Sequence, residues 1–251
     1  MKITLVIPCY NEELNIQKGV LDKIGNFTDS NVDIVEVIIS DDGSTDSTKN
    51  IIKNKYLRQF SKFKLLENSH CGKAFTLISA IKAAVGDYII FSDMDLATPL
   101  EEAEKLINEA KKGSKIVIGS RNNSRKGAPI LRKVMAKGFI LVRDVLIGLQ
   151  GIKDSQCGFK LFDRKLALTI IDQLVVFKKE RNIDGSSVSA GFDLEFLFVS
   201  GKLGHKIKEV PVIWRHVETK NVNFLSDSIE TLRDIMKIKY NDLTKKYSFR
   251  K

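Results

Sequence analysis

The 251-residue chain has few of the residues that define several protein classes. Its three cysteines, Cys9, Cys71 and Cys157, lie far apart. An odd number without a CxxC pair excludes a disulfide framework or a cysteine-built zinc site and favours a reducing, intracellular setting. The three histidines, His70, His205 and His216, lack metal-ligand spacing and read as surface or packing residues. No Pro/Gly linker divides the chain, and no internal repeat appears. No segment is apolar enough to cross a membrane, because the longest candidate, 138–152, is interrupted by Arg143, Asp144 and Gln150. The opening MKITLVIPCYNEE meets Glu12 and Glu13 too early for a signal peptide. Acidic residues are in deficit, 31 Asp+Glu against 41 Lys+Arg, and the resulting +10 suits a polyanionic partner: nucleic acid, anionic membrane or phosphorylated ligand. Neither GxGxxG nor GxxxxGK[ST] occurs, which excludes a dinucleotide-binding Rossmann enzyme and a P-loop NTPase.

What is present is a soluble α/β pattern, with 43% hydrophobic residues. Short β-branched runs at 3–8, 35–40, 64–67, 87–93 and 115–120 alternate with helical patterns at 12–24, 45–58, 73–84 and 100–112. This predicts βαβ units and a mostly parallel central sheet flanked by helices, with both faces covered. After residue 121 the alternation stops. A basic helical stretch (129–149), GFKLF (158–162), a helix near 164–173, a polar loop (178–191) expected to be mobile, a helix near 192–203, a strand at 207–214 and a helix near 225–240 follow. The chain reads as one domain, with the regular strand–helix alternation in residues 1–121 and a mainly helical remainder in 122–251.

In parallel α/β sheets ligands bind beyond the carboxyl ends of the strands. The residues there are Pro8-Cys9-Tyr10-Asn11-Glu12, Asp41-Asp42-Gly43-Ser44, Asp93-Met94-Asp95 and Gly119-Ser120-Arg121. Without a glycine-rich phosphate loop, a divalent cation on carboxylates is the obvious phosphate holder, and Asp93 and Asp95 supply hard oxygen ligands. A DxD is ordinarily a helix cap and a surface charge. Here it follows the apolar run YIIF, where two like charges are costly without a cation or proton between them. Asp42 or Ser44 serves equally as a cap for the following helix, whereas Asp41 ends its strand and is the better ligand contact.

The motifs IPCYNEE (7–13), SDDGSTDST (40–48), Gly72-Lys73, FSDMDLATP (91–99) and GSR (119–121), in this order, resemble the inverting family 2 glycosyltransferases with the GT-A fold. DSQCGFKLF (154–162), FDLEFL (192–197) and EVPVIW (209–214) extend the resemblance to the polyprenyl-phosphate branch, especially the dolichyl-phosphate β-glucosyltransferases. The resemblance implies metal-dependent transfer of a hexose, glucose above all, from a nucleotide sugar such as UDP-glucose to a dolichyl or other polyprenyl phosphate, with Mg²⁺ or Mn²⁺ as cofactor, residues 1–121 forming the nucleotide-sugar-binding half and 122–251 the acceptor-side half. It implies that Pro8, Tyr10 and Glu12 line the base and ribose pocket, that Asp41 and Asp42 meet the nucleotide, and that Lys73 lies near it. Met94 would join the donor contacts, Asp93 would approach the sugar or a metal-bound water, and Asp95 would be the main metal ligand. The mannosyl relatives have a Gln where this chain has Ala97, a departure that leaves the metal shell incomplete.

From Arg121 through Arg143 the chain has seven basic residues, the two ends included, and no acidic one. Arg121 and Arg132 match phosphate contacts of the mannosyl relatives, and guanidinium groups suit phosphate oxygens. Gln156 and Lys220 are the other acceptor-side candidates. Asp193 stands where related transferases keep a catalytic base, although a first-turn carboxylate also favours its helix. A phosphate monoester, with a second pKa of roughly 6, needs orientation more than deprotonation, which leaves Asp193 as either a catalytic base or a group that positions the acceptor, while Glu195 is expected to be structural. The segments 138–149 and 225–240, the latter with Leu225, Ile229, Leu232, Ile235 and Ile238, are candidates to lie on the cytoplasmic face of an anionic membrane or to pack on the core. The alternatives are a GDP-mannose-dependent mannosyltransferase, transfer to a glycan hydroxyl, a haloacid-dehalogenase phosphatase, whose DxD would normally end the first strand, and a basic nucleic-acid-binding module, for which no RNP or zinc motif is found.

Overall fold

The computed structural model describes residues 1–121, 130–178, 190–215 and 224–249, without the side chains of 130–137, 190 and 224–227. β1 (Ile3–Cys9), α1 (Glu13–Gln17), α2 (Val20–Ser30) and β2 (Ile34–Asp41) form the first crossover. A bent helical segment follows, α3 (Thr48–Ile51), a π turn (Ile52–Tyr56) and α4 (Leu57–Gln59), then β3 (Phe63–Glu67), α5 (Lys73–Ala83) and β4 (Tyr88–Phe91). A 3₁₀ turn (Leu100–Glu102), α6 (Ala103–Lys111) and β5 (Ile116–Arg121) complete the first half. Beyond it come α7 (Ile130–Ile147), β6 (Lys160–Asp163), α8 (Arg164–Gln173), α9 (Ala190–Lys202), β7 (Lys208–Val212) and α10 (Phe224–Leu243).

The seven strands run in the order β3-β2-β1-β4-β6-β5-β7, and only β6 is antiparallel to its neighbours. Alternate side chains explain how the sheet is buried. Val6, Ile38, Ile89, Phe91, Ile118 and Phe162 enter one core, roofed by residues of α5, α8, α9 and α10. Leu5, Ile7, Val37, Ile39, Ile90, Val117 and Leu161 enter the other, roofed by α2, the π turn and α6. Strands apolar on both faces can exist only between such layers. Each fully buried Ile, Leu or Val stabilises the fold by about 1.5–3 kcal/mol relative to exposure, before chain entropy is subtracted.

The expected mostly parallel sheet is therefore present, with one difference. GFKLF was not assigned to a strand, and its last three residues begin β6, which separates β4 from β5. A four-residue strand paired with two strands far back in the chain, β4 and β5, carries no period of its own; pairing, not local pattern, creates it. β7 lies at the sheet edge, where Pro211 can be accommodated without a ladder N–H.

Candidate active site

The carboxyl ends of β1, β2 and β4 converge, as their parallel register requires. Asn11, in the left-handed region at φ 52°, ties the first two loops together. Its N–H donates to Ser44 Oγ (2.8 Å), and its Oδ1 accepts from the Thr45 amide (2.8 Å). Asp41 is wholly buried, accepting from the Ser44 amide (2.9 Å) and the Cys9 thiol (3.7 Å). Asp42 is no cap. Its carboxylate accepts from the Cys71 and Gly72 amides (3.0 Å each) and meets His70 Nδ1 (2.9 Å), while the His70 ring stacks on Tyr10 at 4.2 Å. Asp42 thereby shapes the turn into α5. Gly72, at φ 91°, adopts a conformation that side chains rarely permit, and this delivers Lys73 at the first turn of α5. Pro8 and Glu12 are half-buried beside these loops, and Glu12 Oε2 accepts from Asn15 (2.6 Å).

Lys73 reaches across to pair with Asp93. Burial pushes the Asp93 carboxyl up, but the Lys73 ammonium, helped by Lys160 and Arg121, outweighs this and holds it below the usual range. Asp95 is opposite in character. Burial pushes it up and the Asp93 charge adds to that, outweighing the hydrogen bonds from the Ala97 amide (3.0 Å) and from its own amide. Leu96, between Asp95 and Ala97, sits at φ 50°, a conformation costing roughly 1–2 kcal/mol for a residue with a side chain. Such strain is often held at functional turns. Met94 turns into the core and is 3% exposed, so its side chain is a packing group under the site rather than a wall of it.

A cleft beside Asp93 is lined by Ala97, Arg121, Gln156, Gly158, Phe159 and Trp214. Asp154 grips Arg121 bidentately (Nε–Oδ2 2.6 Å, Nη2–Oδ1 2.7 Å), and Glu209 on β7 accepts from the Asp154 amide (2.8 Å). The hydrogen bonds to Asp154 raise the Arg121 pKa further, and its guanidinium lies 5.9 Å from the Trp214 ring. Gly158 passes so close beneath Asp93 that a Cβ would lie 2.2 Å from Oδ2, so any side chain there would require the carboxylate or the backbone to shift. Cys157 is buried, and burial, with Asp154 nearby, raises its thiol pKa, the opposite of an activated nucleophile.

Lys160 had no part in the sequence-based site, yet it is fully buried and pairs with Asp193 Oδ1 (2.8 Å) in the first turn of α9. Asp154 and Trp214 were likewise present in the motifs without a role. Their signal is tertiary, an ion pair and a cation–ring contact with Arg121 made across separate elements. Glu195 is structural, as expected: fully buried, it accepts from the Val175, Val176 and Phe177 amides (2.9, 2.8 and 3.0 Å) and from the Tyr247 hydroxyl (2.8 Å). Arg143, the last of the basic run that starts at Arg121, is not on a solvated face but buried, bonding Asp144 (2.6 Å), Ser155 (3.1 Å) and the Ile152 carbonyl. The Arg132 side chain, Lys220, His216 and the 179–189 part of the polar loop lie outside the described residues.

Two carboxylates at a strand end, one of them poorly compensated, fit a hard divalent cation. Among the described residues no three or more His, Cys, Asp or Glu gather around one point. Such a donor set suits a cation that shares its shell with phosphate oxygens and water.

The family model described as glycosyl transferase family 2 matches residues 4–170. A dolichyl-phosphate beta-glucosyltransferase of Trichomonas vaginalis is 32% identical over 249 residues, covering 94% of this chain and 72% of the relative. That of Dictyostelium discoideum is 30% identical over 256 residues, covering 96% and 75%. Among solved structures, glucosyl-3-phosphoglycerate synthase from Mycobacterium tuberculosis in complex with uridine diphosphate superposes with a TM-score of 0.66 at 20% identity, covering 95% of this chain and 80% of that one. The same enzyme with Mn²⁺ and UDP-glucose gives 0.66 at 21%, covering 94% and 78%. At that identity the likeness concerns the fold.

Proposed function

The chain belongs to glycosyl transferase family 2, and from that premise we propose that it transfers glucose from UDP-glucose to dolichyl phosphate with inversion, assisted by Mg²⁺ or Mn²⁺. The observation that carries this reading is the gathering of Asp93, Asp95, Lys73 and Arg121 at one end of the sheet, in a chain that matches dolichyl-phosphate beta-glucosyltransferases over nearly its whole length. The solved neighbour taken up with Mn²⁺ and UDP-glucose supports the choice of donor and metal class.

In this reading the bond from the glucose anomeric carbon to the diphosphate breaks, an acceptor phosphate oxygen attacks from the opposite side, and UDP departs. Asp95, with Asp93, would hold the cation, which when bound offsets charge on the diphosphate. Lys73 keeps Asp93 ionised and aimed at the donor. Arg121, with Nε and one Nη2 hydrogen committed to Asp154, retains N–H groups for phosphate oxygens. Gln156 would meet the acceptor, and Arg132 and Lys220 would add charge to it. Pro8, Tyr10, Glu12 and Asp41 would frame the nucleotide. Asp193 would orient the acceptor, whose phosphate is already an anion at neutral pH.

Among the described residues, no helix is long and apolar enough to cross a membrane. Peripheral contact with an anionic bilayer is the proposed route to the lipid. The α10 stripe expected from sequence divides: Ile235 and Ile238 enter the core, and the Leu225 side chain lies outside the described residues. Ile229 and Leu232 of the expected stripe stay exposed instead, and with Met236, Tyr240 and Leu243 they form a surface stripe on the opposite side at steps of three and four, flanked by Arg233, Lys237 and Lys239. Apolar groups bordered by cations suit an anionic surface.

The test offers labelled UDP-glucose, GDP-mannose and other donors with dolichyl phosphate, with Mg²⁺, Mn²⁺ or chelator, and counts the lipid extract. Wild type should transfer glucose in a metal-dependent manner, and Asp95→Ala should lose at least about 1,000-fold, as for removal of a central charge-stabilising group. Transfer from no donor, or equal activity of Asp95→Ala and wild type, rejects the proposal. Sedimentation that anionic vesicles do not change would reject the membrane contact alone.

A further inference from the structure

Lys160 opens β6, and its side chain is 1% exposed. A buried ammonium must be fully compensated, and an apolar residue would fill the same space without a charge to desolvate. Its Nζ donates to the Cys157 carbonyl (2.6 Å) and pairs with Asp193 Oδ1 (2.8 Å). The segment that carries it connects both sides of the site. Cys157, Gly158 and Phe159 line the cleft, and the Gly158 backbone lies directly beneath the Asp93 carboxylate. Four consecutive residues thus touch Asp93 through a glycine and Asp193 through a lysine.

Anchoring α9 does not require this pair. Glu195, two residues beyond Asp193 and on another side of the helix, already fastens α9 to the 175–177 amides and to Tyr247. The Lys160 clamp ends instead on Asp193, which keeps 21% side-chain exposure. The Lys160 charge also acts on Asp93 and Asp154, so it lies among the carboxylates of the site.

We propose that Lys160 is a positioning residue: it holds Asp193 in fixed relation to Asp93, so that an acceptor oriented by Asp193 faces the donor carbon held on the Asp93 side. This rests on the glucosyl transfer proposed above. Lys160 acts from below the cleft floor and touches neither substrate.

Lys160→Met, Asp193→Asn and the double variant are compared with wild type for kcat, KM for dolichyl phosphate, UDP-glucose dissociation constant and melting temperature. Lys160→Met should lower kcat about 100-fold, the cost of a misplacement near 1 Å, with UDP-glucose binding unchanged. The double variant should be no slower than Asp193→Asn, because the two act as one unit. Should Lys160→Met be too unstable to purify, Lys160→Gln, which keeps a donor for the Cys157 carbonyl, carries the same comparison. Full kcat in the Lys160 variants, losses that multiply in the double variant, or a parallel loss of UDP-glucose binding would overturn the inference. Wild type inactive with every donor would instead reject the glucosyl-transfer reading, and so the two failures are distinguishable.

Discussion

Through β1, β2 and β4 the chain is held mainly by apolar side chains buried on both faces of the sheet, whereas around α9 and β6 the apolar packing is joined by charged groups taken out of water. Ile7, Ile39 and Ile90 make no directional bond, and each can lose a methyl with modest effect. Glu195, Lys160 and Arg143 each satisfy several partners, and loss of any one leaves buried donors or acceptors unpaired. The difference matters because a sheet end that presents carboxylates must be rigid, and hydrophobic layers provide this without specifying any contact. The acceptor side must instead fix particular atoms relative to one another, which requires directional bonds.

The sharpest way to break the comparison is a pair of substitutions. Glu195→Ala should destabilise the protein by about 3 kcal/mol, as three amides and a buried hydroxyl lose their acceptor. Ile39→Val should cost only about 1 kcal/mol. Urea denaturation of both variants is the measurement, and equal losses would remove the contrast.

Gly158→Ala probes the junction of the two regions. A Cβ 2.2 Å from Asp93 Oδ2 must displace either the carboxylate or the β6 approach. Transfer should fall about 100-fold, as for a misplaced reacting group, while melting changes little. A variant with wild-type kcat would show that Asp93 can move without penalty.

The smallest expected effect is on acid stability, and it has the same sign in both regions. Burial pushes Glu36 up, but Lys64, the Val85 amide and Thr4 bring it below its ordinary value. Asp154 is likewise pushed up by burial and brought down further by Arg121. A depressed folded pKa contributes stability above the unfolded value, near pH 4, that is lost as pH falls through the folded value. Melting temperature measured from pH 7 to pH 3 should decline less steeply below pH 5 in Glu36→Gln and in Asp154→Asn than in wild type.

The strand-end motifs of the first half are legible because each depends on local facts: a β-branched run, then a carboxylate, then a helix. Gly72-Lys73 is legible for a related reason, since its φ of 91° demands glycine at that point in the chain. Lys160 is not legible. Within GFKLF it looks like the outward residue of a short apolar run, and only the insertion of β6 between β4 and β5 buries it beside Asp193. Arg143 and the α10 stripe fail for the same reason: a helix with apolar residues on two sides does not declare which one meets the core.

By itself, then, the sequence determined the alternation of strands and helices, the doubly covered sheet and the carboxylates that follow its strands, because periodicity and turn chemistry act over a few residues. Tertiary structure alone decided that β6 runs antiparallel through the sheet, that Asp154 holds Arg121, that Lys160 holds Asp193 and that Met94 serves the core. Those outcomes depend on which distant groups share a buried space, where an unpaired charge is too costly to remain and each must find its partner.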